Sequence, residues 1–144
     1  MTEASTETAL LVALESELIR LADDSSIETT MLIHPDVLRD FSDYNQFLDL
    51  VDGLLAQMDL EGVFQVASFH PEYQFADTDV DDPENYTNRS PYPALHILRE
   101  ESIELAVAGA PDIDQVPIRN IEKMNSIGTK KLRADLESYL VDDN

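Results

Sequence analysis

The chain has 144 residues and a mass of 16.2 kDa, 43% of them hydrophobic and 27% charged. It is therefore expected to form one α/β domain over residues 1–144, burying roughly 68 to 70% of the surface its unfolded form would expose. Nine Lys plus Arg against thirty Asp plus Glu give a formal net charge of -21, a surface that repels phosphate backbones and anionic membranes and so argues against both as partners; with no cysteines, disulfides and thiolate chemistry are excluded for this chain.

The acidic start MTEASTETALL lacks the basic region of a signal peptide, and no apolar run approaches 18 residues, so a cytoplasmic location is expected. Leu10, Leu11, Leu14, Leu18 and Leu21 recur at helical spacing and predict an amphipathic helix from about Thr6 to Ala22. The segment Ile27–His34, β-branched and apolar, predicts a strand that Pro35 ends. From Phe41 through Tyr44, Leu48, Val51, Leu55 and Met58 the spacing becomes helical, with Ser42 as the expected N-cap, and Gly62 supplies the left-handed residue after the helix. Val63–His70 then predicts a second buried strand. Strand, helix and strand in that order predict a right-handed parallel βαβ unit, a small sheet covered by helices.

Pro71 to Ser90 is aperiodic and acidic, and too long for a simple connector. Asp77, Asp79 and Asp81 are spaced as in a calcium loop, but Asp82 stands where that loop needs Gly and Asn88 where it needs Glu. After the loop, Pro91 or Pro93 predicts the first turn of a helix with Leu95, Leu98, Leu105 and Ala106 on its buried stripe. Gly109 to Val116 is expected as a loop. A helical C-terminal region follows, with Ile118, Ile121 and Met124 in one helix and a last helix of about residues 129–140 capped by Thr129. Because two strands make a poor sheet, further pairing is expected, from Tyr73 to Phe75 or from the partner subunit of a homodimer.

A small echo marks a candidate site: HPD begins at His34 and HPE at His70, each at the end of a predicted strand. Paired strand ends lie about 5 Å apart, and ligands of open α/β sheets collect beyond the carboxyl ends of parallel strands. His96, one turn into the expected helix, completes a possible three-imidazole set that suits zinc or iron. Arg89 and Arg99 flank that helix start after 49 residues, Asp40 to Asn88, without a cation. A guanidinium there suits a carboxylate or phosphate.

The strings TTMLIHPDVLRDFSDYNQFLDLVD, LEGVFQVASFHPEYQFADTDVDDPENYTNRSPYPALHILREESI and IRNIEKMNSIG resemble the bacterial family catalogued as domain of unknown function 1415, over roughly residues 6–128. The resemblance implies that His34, His70, Tyr73, Asn85, Asn88, Arg89, Ser90, His96 and Arg99 occupy motif positions, without giving any of them a role. Members of that family usually begin with a further segment containing a Cys-Pro-Phe motif and another strand, which this chain does not show; the expectation is a shortened form with an exposed sheet edge.

Two functional readings follow. One is a small-molecule-binding protein or enzyme with a polar His/Arg pocket at the strand ends, with or without a metal. The other is an acidic interaction protein whose histidines are structural. A concave pocket lined by His34, His70, Arg89 and His96 supports the first, and buried, mutually satisfied histidines support the second.

Overall fold

The structure is a computed structural model, described here for residues 1–109 and 116–140. Helix α1 spans Glu7–Asp23 and buries Leu10, Leu14, Leu18 and Leu21, the stripe that the helical spacing predicts. Its N-cap is Thr6, whose Oγ1 accepts the Ala9 amide at 3.1 Å, satisfying one of the orphan donors of the first turn. Strand β1 is Thr29–Ile33 and strand β2 is Phe64–Phe69. Between them helix α2, Phe41–Gln57, buries Tyr44, Phe47, Val51, Leu54 and Leu55. Asp40, not Ser42, caps it, accepting the Asp43 amide at 3.1 Å. Asp59, with φ 60°, makes the left-handed turn directly after α2, and Gly62, with φ 78°, makes a second one before β2.

The main departure from expectation follows the long loop. A 3-10 helix occupies Pro83–Asn88, and Ala94–Arg99 is a strand, β3, where a helix was predicted. Helix α3 begins only at Glu100 and ends at Gly109. The two prolines bias the residues before them toward extended backbone. A run as short as ALHIL also fits both periods: Leu95 and Leu98 are three apart, yet Leu95 and Ile97 alternate around His96. Tertiary pairing decides between them.

The sheet order is β1-β3-β2, and both outer strands pair antiparallel with β3. The predicted parallel βαβ unit is therefore corrected. β1 and β2 run in the same direction without bonding to each other, because β3 lies between them and meets the backbone groups of both. The third strand also supplies the extra pairing that a two-stranded sheet lacks. Leu95 pairs with Leu32 and Ser68, and Ile97 with Thr30 and Val66. With Leu32, Phe64 and the buried faces of α1 and α2, Leu95 and Ile97 form one core.

Helices α4, Val116–Ile127, and α5, Thr129–Glu137, follow. Gly128, with φ 88°, is the residue preceding α5, so Thr129 opens that helix instead of capping it. Its hydroxyl instead donates to the Asp81 carbonyl, and Arg133 pairs with the Asp81 carboxylate at 3.0 Å, docking α5 on the acidic loop. The predicted loop at Gly109 to Val116 falls largely on residues outside the description, as do the side chains of Ala106, Ile118 and Ile121. Among the described residues no helix is long and apolar enough to cross a membrane.

Candidate functional site

Three proline-bearing segments meet at one end of the sheet. β1 runs into His34-Pro35, β2 into His70-Pro71, and β3 starts after Pro91-Tyr92-Pro93; Ile33 and Phe69 both pair with Ala94. The His34 amide bonds the Pro93 carbonyl at 2.9 Å and the His70 amide bonds the Asn88 carbonyl at 3.1 Å. The two His-Pro-acid segments thus share an end of the sheet, with β3 between them.

Both imidazoles turn inward and are fully buried. Tyr44 of α2 lies near both, with ring centroids 5.9 Å from His34 and 4.9 Å from His70. Its hydroxyl donates to the Ala94 carbonyl at 2.7 Å and accepts the Phe69 amide at 2.9 Å, joining α2 to β3 and β2 at one point. Burial pushes this phenol's pKa upward, so the hydroxyl keeps its proton.

The partners fix both imidazole tautomers. His34 Nδ1 lies 3.0 Å from the Val37 carbonyl and must donate, since a carbonyl only accepts; its Nε2 is then a bare lone pair, buried and without a partner among the described residues. His70 Nε2 donates to the Leu38 carbonyl at 2.9 Å while Nδ1 accepts the Glu72 amide at 3.0 Å. Burial is the main cause that lowers both pKa values, and the neighbouring His70 lowers that of His34 further. For His70, the Leu38 carbonyl and the Glu72 and Asp40 carboxylates oppose burial without overcoming it. Both rings are neutral at pH 7.

The other motif residues build the surrounding frame. Asn85 is fully buried: its Oδ1 accepts the Phe75 amide and the Thr78 hydroxyl, and its Nδ2 donates to the Asp79 carbonyl. Asn88 Nδ2 donates to the Ser68 carbonyl at 3.0 Å, tying the 3-10 helix to β2. Arg89 donates to the Tyr73 and Val80 carbonyls, with its guanidinium carbon 4.5 Å from the Tyr86 ring centroid. Tyr73 packs between Phe41 and Phe75, and Ser90 donates to the Tyr92 carbonyl.

Two predicted site residues stand elsewhere. Because β3 is a strand, His96 points to the sheet face opposite Leu95 and Ile97. There its Nε2 donates to Thr29 Oγ1 at 2.8 Å, the threonine proton being committed to the Ile97 carbonyl. Arg99 pairs with Phe64 at the other end of the sheet, five residues or about 17 Å from Ala94. It caps the end of α1 through the Leu21, Asp24 and Ile27 carbonyls. The expected convergence of His34, His70 and His96 on one ligand, rimmed by Arg89 or Arg99, is therefore corrected. Among the described residues no group of three or more His, Cys, Asp or Glu side chains could hold a metal ion.

A cavity of about 490 Å³ does lie at this sheet end, walled by Pro35, Pro71, Pro91 and Pro93 with Tyr92 and Leu140, and its charged groups are Asp36, Arg39 and Glu72. An adjoining cavity of about 580 Å³ shares Pro71, Glu72, Pro91 and Leu140 and adds Arg89, Tyr86 and Arg133. The His-Pro-acid echo thus has a division of labour: imidazole in the core, proline in the wall, carboxylate on the cavity. The third residue of each echo carried the signal that attention to the histidines missed. Arg39 was legible only as an isolated cation, the last before a 49-residue gap. No hydrogen bond or ion pair joins the side chains of Asp36, Arg39 or Glu72 to another described residue.

The fold and site together define a mixed α/β protein with an antiparallel three-stranded sheet and a proline-walled cleft at one sheet end. The family model described as "Protein of unknown function (DUF1415)" matches residues 1–134, and the chain belongs to that family. No curated protein and no solved structure matches the chain.

Proposed function

We propose that the protein binds a small zwitterionic molecule, of the amino-acid or short-peptide class, in the cleft at the sheet end. The observation that carries this reading is the repeated His-Pro-acid segment, which puts two unpaired carboxylates, Asp36 and Glu72, on the same cavity as the unpaired guanidinium of Arg39. The guanidinium suits a ligand carboxylate through two parallel hydrogen bonds. The two acids suit an ammonium group, and the prolines with Tyr92 offer apolar walls for the body of the ligand. A purely anionic ligand would meet a lining of one positive and two negative groups, inside a chain of net charge -21.

Titration of the labelled protein with free amino acids and dipeptides, followed by NMR, tests this. Cleft resonances should shift, and Arg39→Gln or Glu72→Gln should weaken binding about tenfold, the scale of one lost charged contact of about 1.4 kcal/mol. Both positions are exposed, so stability should change by no more than about 0.5 kcal/mol. If no member of the panel moves the cleft resonances, the reading fails.

The burial of both imidazoles also suits the second reading, an acidic interaction protein with structural histidines. Under that reading a basic peptide shifts resonances across the acidic surface, and the cleft substitutions leave its affinity unchanged.

A further inference from the structure

We propose that His34 and His70 form a proton-operated latch on the loop 35–40, which carries Asp36 and Arg39, so that protonation releases the loop and disassembles the cleft. The consequence for binding rests on the cleft being a ligand site; the latch itself does not. Its geometry is specific. Two imidazoles from different strand ends donate to consecutive carbonyls of one loop, His34 Nδ1 to Val37 and His70 Nε2 to Leu38. Between those carbonyls Leu38 has φ 58°, a left-handed backbone that is strained for a bulky residue and persists only where its surroundings hold it. The buried side chains of Val37 and Leu38, together with the two imidazole bonds, supply that hold.

A second proton has no place in the closed latch. On His70 it would sit on Nδ1, which now accepts the Glu72 amide, so two N–H groups would face each other. On His34 it would sit on Nε2, buried and without an acceptor among the described residues. The groups around the pair do not repair this. His70 faces the Glu72 and Asp40 carboxylates, which favour its charged form but are outweighed by burial. His34 faces His70, and beside it the Tyr44 hydroxyl is already committed to Ala94 and Phe69. Once the loop opens, each imidazole regains water and an ordinary pKa near 6.5. A group whose pKa is lower in the closed state favours closure most above about pH 6.5, and that preference falls as the pH drops toward the lowered value.

The free protein is sufficient for the test. Ring-nitrogen NMR should show His34 and His70 titrating below 6.5. The Glu72 amide, bonded to the His70 ring, should lose protection from hydrogen exchange between pH 7.5 and 5.5, by up to about tenfold for each histidine that takes a proton on opening and so at most about a hundredfold for the pair, after correction for intrinsic chemistry. The Leu18 amide in α1 should stay more strongly protected than the Glu72 amide at both pH values, which separates loop opening from global unfolding. His70→Gln places a non-titrating amide donor near the Leu38 carbonyl and should reduce the pH dependence to the part that His34 supplies. Ring pKa values at or above 6.5, Glu72 protection equal to that of Leu18 at both pH values, or an unchanged pH dependence in His70→Gln would each overturn the latch. If the variant does not fold, the wild-type ring titration alone decides. A failed ligand titration with a working latch would count against the binding proposal and leave this one standing.

Discussion

Single side chains at this sheet end hold more than one element each. Tyr44 is the clearest case, since its hydroxyl satisfies both the Ala94 carbonyl and the Phe69 amide from within the core. Tyr44→Phe keeps the ring and removes both bonds, leaving a donor and an acceptor without a partner. The expected loss is about 1–3 kcal/mol, read as a lower urea midpoint at constant slope. An unchanged midpoint would mean that water replaces the hydroxyl and that the ring alone matters. Asn85 works in the same way for the acidic loop, accepting from Phe75 and Thr78 and donating to Asp79. Buried polar groups need such partners, and so a loop rich in Asp folds into a fixed frame here.

At the scale of elements, β3 decides the architecture. It is bonded on both edges, and its Leu95 and Ile97 are fully buried in the core shared with α1 and α2. Ile97→Ala should therefore destabilise the protein by about 2–5 kcal/mol, the range for emptying a packed aliphatic site. Leu98→Ala, on the other face and half-buried, should cost clearly less. Equal losses in chemical denaturation would contradict the strand and restore the helical reading, in which Leu95 and Leu98 share a face. The contrast is a direct consequence of a two-residue against a 3.6-residue period.

For the whole molecule, charge is the dominant anomaly. Residues 1–88 hold two basic and twenty acidic residues, and among the described residues few ion pairs relieve them. Arg20 meets Glu17 and Arg133 meets Asp81, while Lys131 meets Asp135 outside that segment, all with at least one exposed partner. Such pairs contribute little, so self-repulsion should remain a destabilising term that salt screens. Raising sodium chloride from 20 to about 300 mM should lift Tm by several degrees, since about 1 kcal/mol corresponds to roughly 2–4 °C at this size. A Tm that falls or stays constant in differential scanning calorimetry would show that specific pairing offsets the net charge.

What the sequence determined by itself was set by local pattern. The leucine stripe of α1, the apolar face of α2, the two strands and the place of the His-Pro-acid echo at their ends could all be read from neighbouring residues, because helix and strand periods are local properties. Tertiary structure alone decided three things. Ala94–Arg99 became a strand because the gap between β1 and β2 offered it partners on both edges, which no window of its own residues encodes. That choice sent His96 to the opposite face and Arg99 to the far end of the sheet, dissolving the three-histidine site. It also turned the echo inside out: the imidazoles, with carbonyls of one loop within reach, gain more from buried hydrogen bonds than from solvent, and the carboxylates two residues on are left to line the cleft.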